Sequence, residues 1–328
     1  MAIQVTVLPN SGFSICLTYN HIAADGKSLH HFMKFWASLS KAIAKNYNNN
    51  NFSLEYSPPL DLPSYERNRV KDPKGLKLVY LQQLEDSKSK EMELAGLVQD
   101  SYVNKVRTTL ILSYEQVQKL KKWVTDKCKD SERIQHLSTF VVTSSLIWFC
   151  MIKSKAGDSK SDQGDCVVDD DNCYFVILAD CRDSGEFSLP KTYFGNCIAS
   201  YAVAVKRDEL VGINGIVVAS NGMEKKIRDF KNDALLGAES LMSNYRELDN
   251  KSLVVVAGSP KLAVYETDFG WGKPKKSDAV HLDSSVSISL SDCRDGGGGI
   301  EIGLVLERSR MTNFIYIFQE QLDNICSM

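Results

Sequence analysis

The sequence predicts a protein of the α/β (α+β) class, in which strands and helices are interleaved along the chain. Three stretches carry that prediction. Phe13, Ile15, Leu17 and Tyr19 alternate with Ser14, Cys16, Thr18 and Asn20, the period of a half-buried strand, and Leu29, Phe32, Trp36, Leu39 and Ile43 follow at helical spacing. Residues 173–182 form a continuous apolar run that ends in Asp180 and Arg182, as a buried strand does. Val286, Ile288 and Leu290 alternate ahead of a glycine run, Ile300, Ile302 and Leu304 alternate behind it, and an amphipathic stretch over residues 311–325 closes the chain.

The remaining elements follow in chain order. Ile3, Val5 and Val7 share one face of a first strand, residues 9–12 turn, and residues 13–20 return as the second strand of a hairpin. His21 continues the apolar parity of that strand, which aims it inward with Tyr19. Asp25-Gly26 turns the chain, and Ser28 is a candidate N-cap for a helix to about residue 45. The asparagine tract over residues 46–51 reads as a solvated loop. Pro58, Pro59, Pro63 and Pro73 make residues 56–100 irregular. Residues 103–112 read as a β-branched strand, and Ser113 with Gln116 forms a capping box for a helix carrying Val117, Leu120 and Trp123. A second helix from about Ser138 is apolar on nearly every side and therefore buried. Residues 154–172 read as an exposed charged loop; a metal site there lacks any ligand-spacing logic. Residues 213–230 and 235–248 read as helices and residues 253–256 as a short strand. The run Gly296 to Gly299 has no following helix or lysine, so it reads as a hairpin turn and not a phosphate cradle.

Totals narrow the function. At 328 residues the chain has room for two domains or one large one, and 43% hydrophobic with 24% charged residues is ordinary for a globular protein. A net charge of -2 without a basic stripe argues against nucleic acid. Nine scattered cysteines with no Cys-x-x-Cys pair argue against zinc and fit reduced thiols in the cytosol. No stretch approaches a membrane span, and residues 1–7 alternate like a strand and not like a signal peptide.

The chemistry centres on His21-Ile22-Ala23-Ala24-Asp25-Gly26, at a strand-to-helix corner. A histidine titrates near neutrality and can take a proton from a hydroxyl and return it, and a carboxylate four residues on can fix the corner or the ring. By themselves these residues equally fit a core histidine beside a turn aspartate. Three further strings decide between the two: Tyr193-Phe194-Gly195-Asn196-Cys197, Val255-Val256-Ala257-Gly258-Ser259-Pro260, and Asp268-Phe269-Gly270-Trp271-Gly272. In this order the four strings resemble the plant BAHD acyl-CoA-dependent acyltransferases, in the branch of flavonoid, anthocyanin and phenolic glucoside malonyltransferases.

The resemblance implies a two-domain chloramphenicol-acetyltransferase-like fold with mixed sheets flanked by helices. It implies His21 as general base, no resident cofactor, no metal, and acyl-CoA, in this branch malonyl-CoA, as co-substrate with a glycosylated phenolic acceptor. It pairs Arg182 with Asp25 as a structural clamp, so that the aspartate faces away from the imidazole. It makes Asp268, Gly270, Trp271 and Gly272 structural near the coenzyme side. It places Ser138, Thr139 and Asn196 as acyl-CoA or malonyl contacts. Lys27, directly after the histidine corner, is by its own position either a cation for a malonyl carboxylate or a solvated lysine at a helix start. Full-length relatives are expected to be monomeric and cytosolic. Family members carry on the order of 150 residues before the histidine motif, roughly a domain's worth, whereas 20 precede His21 here. Residues 1–57 are therefore expected to be the remnant of an N-terminal domain, 58–100 the interdomain crossover and 101–328 a C-terminal domain. A catalytically incompetent truncated relative or fragment is the alternative. A thioester hydrolase would need a Gly-x-Ser-x-Gly elbow, which the sequence lacks.

Overall fold

The computed structural model describes residues 1–48, 62–88, 104–128, 137–155, 172–185, 187–240, 252–280 and 287–327. The chain divides into two compact units. One holds Met1–Lys71, Asp180–Ile198 and Glu266–Gly272; the other holds Asp72–Ala179, Ala199–Tyr265 and Lys273–Met328.

In the first unit, β1 (Ala2–Leu8) and β2 (Gly12–Thr18) form an antiparallel hairpin whose ladder runs from Leu8 opposite Gly12 to Ala2 opposite Thr18. Asn10 and Gly12 take positive φ in its turn. The strand predicted over residues 13–20 is shorter than expected and ends at Thr18, opposite Ala2. Ile15, Leu17 and Tyr19 are half-buried, whereas Phe13 and the apolar face of β1 are exposed. Helix α1 (Gly26–Asn48) follows. Its cap is Asp25, whose Oδ1 accepts the Ser28 amide at 2.9 Å, and not Ser28 itself. The serine hydroxyl is needed elsewhere, as described below.

The second unit is built on a six-stranded mixed sheet in the order β3-β8-β7-β6-β4-β5. The strands are β3 (Lys105–Leu112), β4 (Asn172–Asp180), β5 (Ile198–Lys206), β6 (Leu253–Ala257), β7 (Ser287–Asp292) and β8 (Ile300–Glu307). Pairs β3/β8 and β7/β8 are antiparallel, and β4/β6 and β6/β7 are parallel. Ile300, Ile302 and Leu304 all face the core, with Ile288 and Leu290 beside them. The glycine run is the β7–β8 turn, and Val286 lies outside the described residues.

Among the described residues, five further helices pack in this unit with α2 (Leu76–Lys88): α3 (Tyr114–Lys127), α4 (Thr139–Lys155), α5 (Arg207–Val211), α6 (Gly215–Asn232) and α7 (Arg308–Cys326). Ser113 and Gln116 make both bonds of the capping box on α3. Helix α4 is buried on every side from Val141 to Ile152 and lies at the centre of the core with Leu120, Phe175, Val254, Ile302 and Phe314. Full burial of this kind leaves no polar face, as its sequence foretold.

Two readings need correction, and one strand went unread. Residues 76–88 are helical and not irregular: Pro73 precedes the helix, and both Asp72 carboxylate oxygens accept its first amides, from Leu76 at 2.7 Å and Lys77 at 2.8 Å. Residues 235–240 are turns and a 3-10 segment, not helix, because Asp233 captures the Leu235 amide and Gly237 takes φ +72; residues 241–248 lie outside the described residues. Strand β5 has no strong alternation, and its small residues concealed it.

Candidate active site

Of the functional side chains that the sequence points to, all but Ser138 and Thr139 belong to the first unit. The histidine corner is a turn and not a strand end. The Ala23 amide donates to Asn20 O at 3.0 Å, and the Ile22 amide donates to Asn20 Oδ1 at 2.9 Å. This Asx-type capture by Asn20 stops the strand and turns His21 to the surface. The inward aim expected from parity is therefore corrected: His21 is exposed, and its ring lies 6.0 Å from that of Tyr19. Burial, with a smaller contribution from the charge of Asp25, raises the Tyr19 phenol above its ordinary pKa.

Asp25 points the other way. Its two oxygens each lie 2.9 Å from Arg182 Nη2, and Oδ2 also accepts the Cys197 amide at 3.0 Å. The Arg182 side chain has no exposed surface and that of Asp25 only 3%. With the Ser28 amide on Oδ1, the carboxylate has partners on both oxygens, none of them His21. The Arg182 guanidinium spans further: Nη1 donates to Asp180 Oδ1 at 2.7 Å, and Nη2 reaches Ser28 Oγ and Gly195 O, both at 2.9 Å. Asp180 in turn pairs with Lys27. Four charges thus alternate in sign along Asp25–Arg182–Asp180–Lys27. Burial opposes the charge on Arg182, but the bond to Asp180 and the field of Asp25 outweigh it and raise its pKa. Burial likewise opposes the charge on Asp180, yet bonds from Lys27 and Arg182 hold its carboxyl below the ordinary value.

The string Tyr193–Cys197 wraps this corner. The Gly195 amide donates to Ser28 Oγ at 3.1 Å, and Asn196 Nδ2 donates to His21 O at 2.6 Å and to Ile22 O at 3.2 Å. Gly195 leaves room for the Arg67 side chain: a Cβ there would lie 1.9 Å from Arg67 Nη1 and 2.7 Å from the Tyr193 hydroxyl, so these side chains would have to shift. Arg67 itself bonds the Tyr193 hydroxyl at 3.1 Å and Ala23 O at 3.3 Å. Ser64 docks the same segment, with its amide on Thr192 O and its carbonyl on the Phe194 amide. Burial, foremost among several influences, pushes the Cys197 thiol up to about 11. At neutral pH it is protonated and no nucleophile.

The Asp-Phe-Gly-Trp-Gly string is anchored on α1. Asp268 Oδ1 accepts the amides of Gly270 at 2.8 Å and Gly272 at 2.9 Å, and Oδ2 accepts Lys41 Nζ at 2.6 Å. Lys41 first, then the Gly270 amide, lower the Asp268 carboxyl to about 2. Gly270 and Gly272 take φ +106 and +97, a backbone path that side-chain-bearing residues resist. Phe269 meets Trp36 edge-on at 5.0 Å, and Trp271 meets Phe13 edge-on at 5.2 Å, so the loop joins α1 to β2. Trp271 remains 68% exposed.

Ser138 and Thr139 stand at the start of α4 in the second unit, where Ser138 Oγ accepts the Val141 amide at 3.1 Å. Sequence reasoning missed Ser28 as a hub, Asp180, Lys41 and Arg67. Two of them had a legible signal. Asp180 and Arg182 are two apart at a strand end, and Lys34 and Lys41 are seven apart on a helix, opposite Glu266 and Asp268. Among the described residues, no cluster of three or more His, Cys, Asp or Glu side chains is arranged to hold a metal ion.

Comparison with known proteins places this geometry. The family model described as Transferase family matches residues 1–321. Coumaroyl-CoA:anthocyanidin 3-O-glucoside-6''-O-coumaroyltransferase 2 of Arabidopsis thaliana is 35% identical over 334 residues, covering 98% of this chain and 66% of that protein. Phenolic glucoside malonyltransferase 1 of Nicotiana tabacum is 33% identical over 293 residues, covering 88% of this chain and 60% of the relative. The chain thus spans just under two thirds of the length of these curated relatives. Among solved structures, vinorine synthase matches with a TM-score of 0.66 at 17% identity, covering 95% of this chain and 63% of that one. TRI101 of F. sporotrichioides, complexed with coenzyme A and T-2, matches with a TM-score of 0.59 at 14% identity, covering 94% and 66%. These likenesses establish the fold as that of the acyltransferases with mixed sheets flanked by helices. The chain belongs to the Transferase family, the BAHD acyltransferases.

Proposed function

We propose that the chain carries the machinery for moving an acyl group, malonyl in the first instance, from its coenzyme A thioester to a hydroxyl of a phenolic or flavonoid glucoside, with His21 as general base. The observation that carries this reading is the division of labour at the corner. Asp25 is bound on both oxygens by Arg182 and backbone amides, while the imidazole of His21 is exposed on a fastened turn. A histidine so placed is available to an incoming hydroxyl. It takes the hydroxyl proton as the oxygen attacks the thioester carbonyl carbon. The tetrahedral oxyanion collapses, the carbon–sulfur bond breaks, and the leaving thiolate takes the proton back from the imidazolium. The acceptor is itself the nucleophile, so no Ser-His-Asp set is required. General base catalysis of this kind is worth about 10²–10⁴-fold, with positioning supplying much of the remainder. The named acceptors of the relatives, anthocyanidin and phenolic glucosides, support the choice of substrate class.

The test is direct. The chain is incubated with malonyl-CoA or coumaroyl-CoA and an anthocyanidin 3-O-glucoside, free thiol is followed in time, and the acylated glucoside is identified by mass. Ester formation that falls about 10²–10⁴-fold in His21→Ala is the expected result. An unchanged rate in that variant, or thiol release without ester, sinks the reading.

A further inference from the structure

Three consecutive carbonyls of the histidine turn are each held by a side chain from elsewhere in the first unit. Asn196 Nδ2 donates to His21 O at 2.6 Å and Ile22 O at 3.2 Å, and Arg67 Nη2 donates to Ala23 O at 3.3 Å. Turn carbonyls of this kind would otherwise face water and leave the turn free to rotate its peptide planes. The two side chains are themselves fixed. Arg67 bonds the Tyr193 hydroxyl at 3.1 Å and stacks over the Tyr193 ring, with its guanidinium carbon 5.6 Å from the centroid. Asn196 lies between Gly195, whose amide bonds Ser28 Oγ, and Cys197, whose amide bonds Asp25 Oδ2. Asn196 therefore projects from a backbone already bonded at both neighbours.

We propose that Asn196 and Arg67 are positioning residues that set the direction of the His21 imidazole by holding the His21, Ile22 and Ala23 carbonyls, Asn196 taking two of them and Arg67 the third. This inference rests on reading His21 as the base. It assigns the amide of Asn196 to the corner and not to the acyl donor. The physical reason is position: His21 lies inside the turn whose carbonyls these side chains fasten, so loosening the turn lets the whole residue shift, and a misplacement on the scale of an ångström at a reacting group is costly in rate.

The test uses the whole chain with Asn196→Asp, Asn196→Ala and Arg67→Met. Asn196→Asp keeps shape and replaces the donor with an acceptor, so it separates the hydrogen bonds from simple volume. First, hydrogen exchange of the peptide spanning residues 19–25 is measured without substrate. Exchange at the Ile22 and Ala23 amides is expected to quicken about three- to tenfold in each variant, the effect of one or two lost bonds. Second, in the transfer assay kcat is expected to fall about tenfold, with KM for acyl-CoA and for the glucoside within about twofold of the parent. Unchanged exchange in all three variants overturns the proposal whether or not the chain turns over. So does a raised KM for acyl-CoA with kcat preserved, which would make Asn196 a donor contact. A parent chain that forms no ester defeats the reading of His21 as base, and the exchange measurement still decides whether the carbonyls are held.

Discussion

Replacing Arg182 by methionine should open the histidine corner more than any other single change in the first unit. What each partner keeps decides the cost. Without the guanidinium, Asp25 is a carboxylate with a 3% exposed side chain and no cation, its remaining donors being the Ser28 amide at 2.9 Å and the Cys197 amide at 3.0 Å. Stranding one partner of a buried pair costs about 3–5 kcal/mol. Asp25→Asn is milder, because Arg182 keeps Asp180 at 2.7 Å and the Gly195 carbonyl at 2.9 Å. The new carboxamide must turn its donor group toward the guanidinium or toward a backbone amide, which points to about 1–3 kcal/mol.

The double variant should cost less than the sum of the two, with a coupling within about 0.5–3 kcal/mol, since neither charge is then left alone. Two compact units make a single unfolding transition a poor ruler. Native-state hydrogen exchange at Leu29, whose amide bonds Asp25 O at 3.0 Å, reports the local opening instead. Additivity within about 0.3–0.5 kcal/mol, or a larger cost for Asp25→Asn than for Arg182→Met, would refute the reasoning.

Other perturbations follow from the same geometry. Gly195→Ala puts a Cβ 1.9 Å from Arg67 Nη1 and 2.8 Å from Tyr193 Cε1, so the guanidinium must leave its place; native-state hydrogen exchange at Leu29 should show a local loss of about 1–3 kcal/mol, and no loss would mean the string has slack. Asp268, lowered to about 2 by Lys41 and the Gly270 amide, contributes stability that is full above the ordinary carboxyl value of about 4 and is lost as pH falls toward 2; Trp271 fluorescence in an acid titration should show this, with the midpoint moved upward in Lys41→Met. An identical midpoint in the two proteins excludes the Lys41 contact as its cause. Lys27 is paired with Asp180, so a malonyl carboxylate must compete for it; Lys27→Ala should lower turnover more with malonyl-CoA than with acetyl-CoA, and equal losses refute a donor role.

Elements governed by a single rule of period or capping were legible in the sequence alone. The capping box at Ser113, the all-round apolar α4 and the alternating β7–β8 hairpin each satisfy one such rule, and the fold carries all three. Readings went astray where a short polar side chain overrode periodicity. Asn20 ended a strand whose alternation ran on to His21, Asp72 started a helix among prolines, and Asp233 stopped one. A single Asn or Asp spends its side chain on a neighbouring amide, and which amide it takes is settled by packing that the one-dimensional pattern does not contain.

The site was legible to a different degree for each residue because its chemistry is divided between local and distant bonds. Strings such as His21–Gly26 and Asp268–Gly272 carry their own turn geometry, the first through Asn20 and the second through glycines at positive φ and an aspartate that takes two amides, so the residues announce themselves. The partners that make those turns rigid are remote in sequence: Arg182 is 157 residues from Asp25, Asn196 is 175 from His21, and Lys41 is 227 from Asp268. Such partners are ordinary polar residues at ordinary positions, and only their convergence marks them. Ser28 shows the consequence most sharply. Its place three residues after Asp25 suited a helix cap, yet the tertiary bonds to Gly195 and Arg182 claim its hydroxyl, and the cap passes to the aspartate that already faces the arginine. One carboxylate thereby closes the helix start and neutralises the buried cation at once. The histidine is left with no share in either task, and that separation is what the proposal of His21 as base rests on.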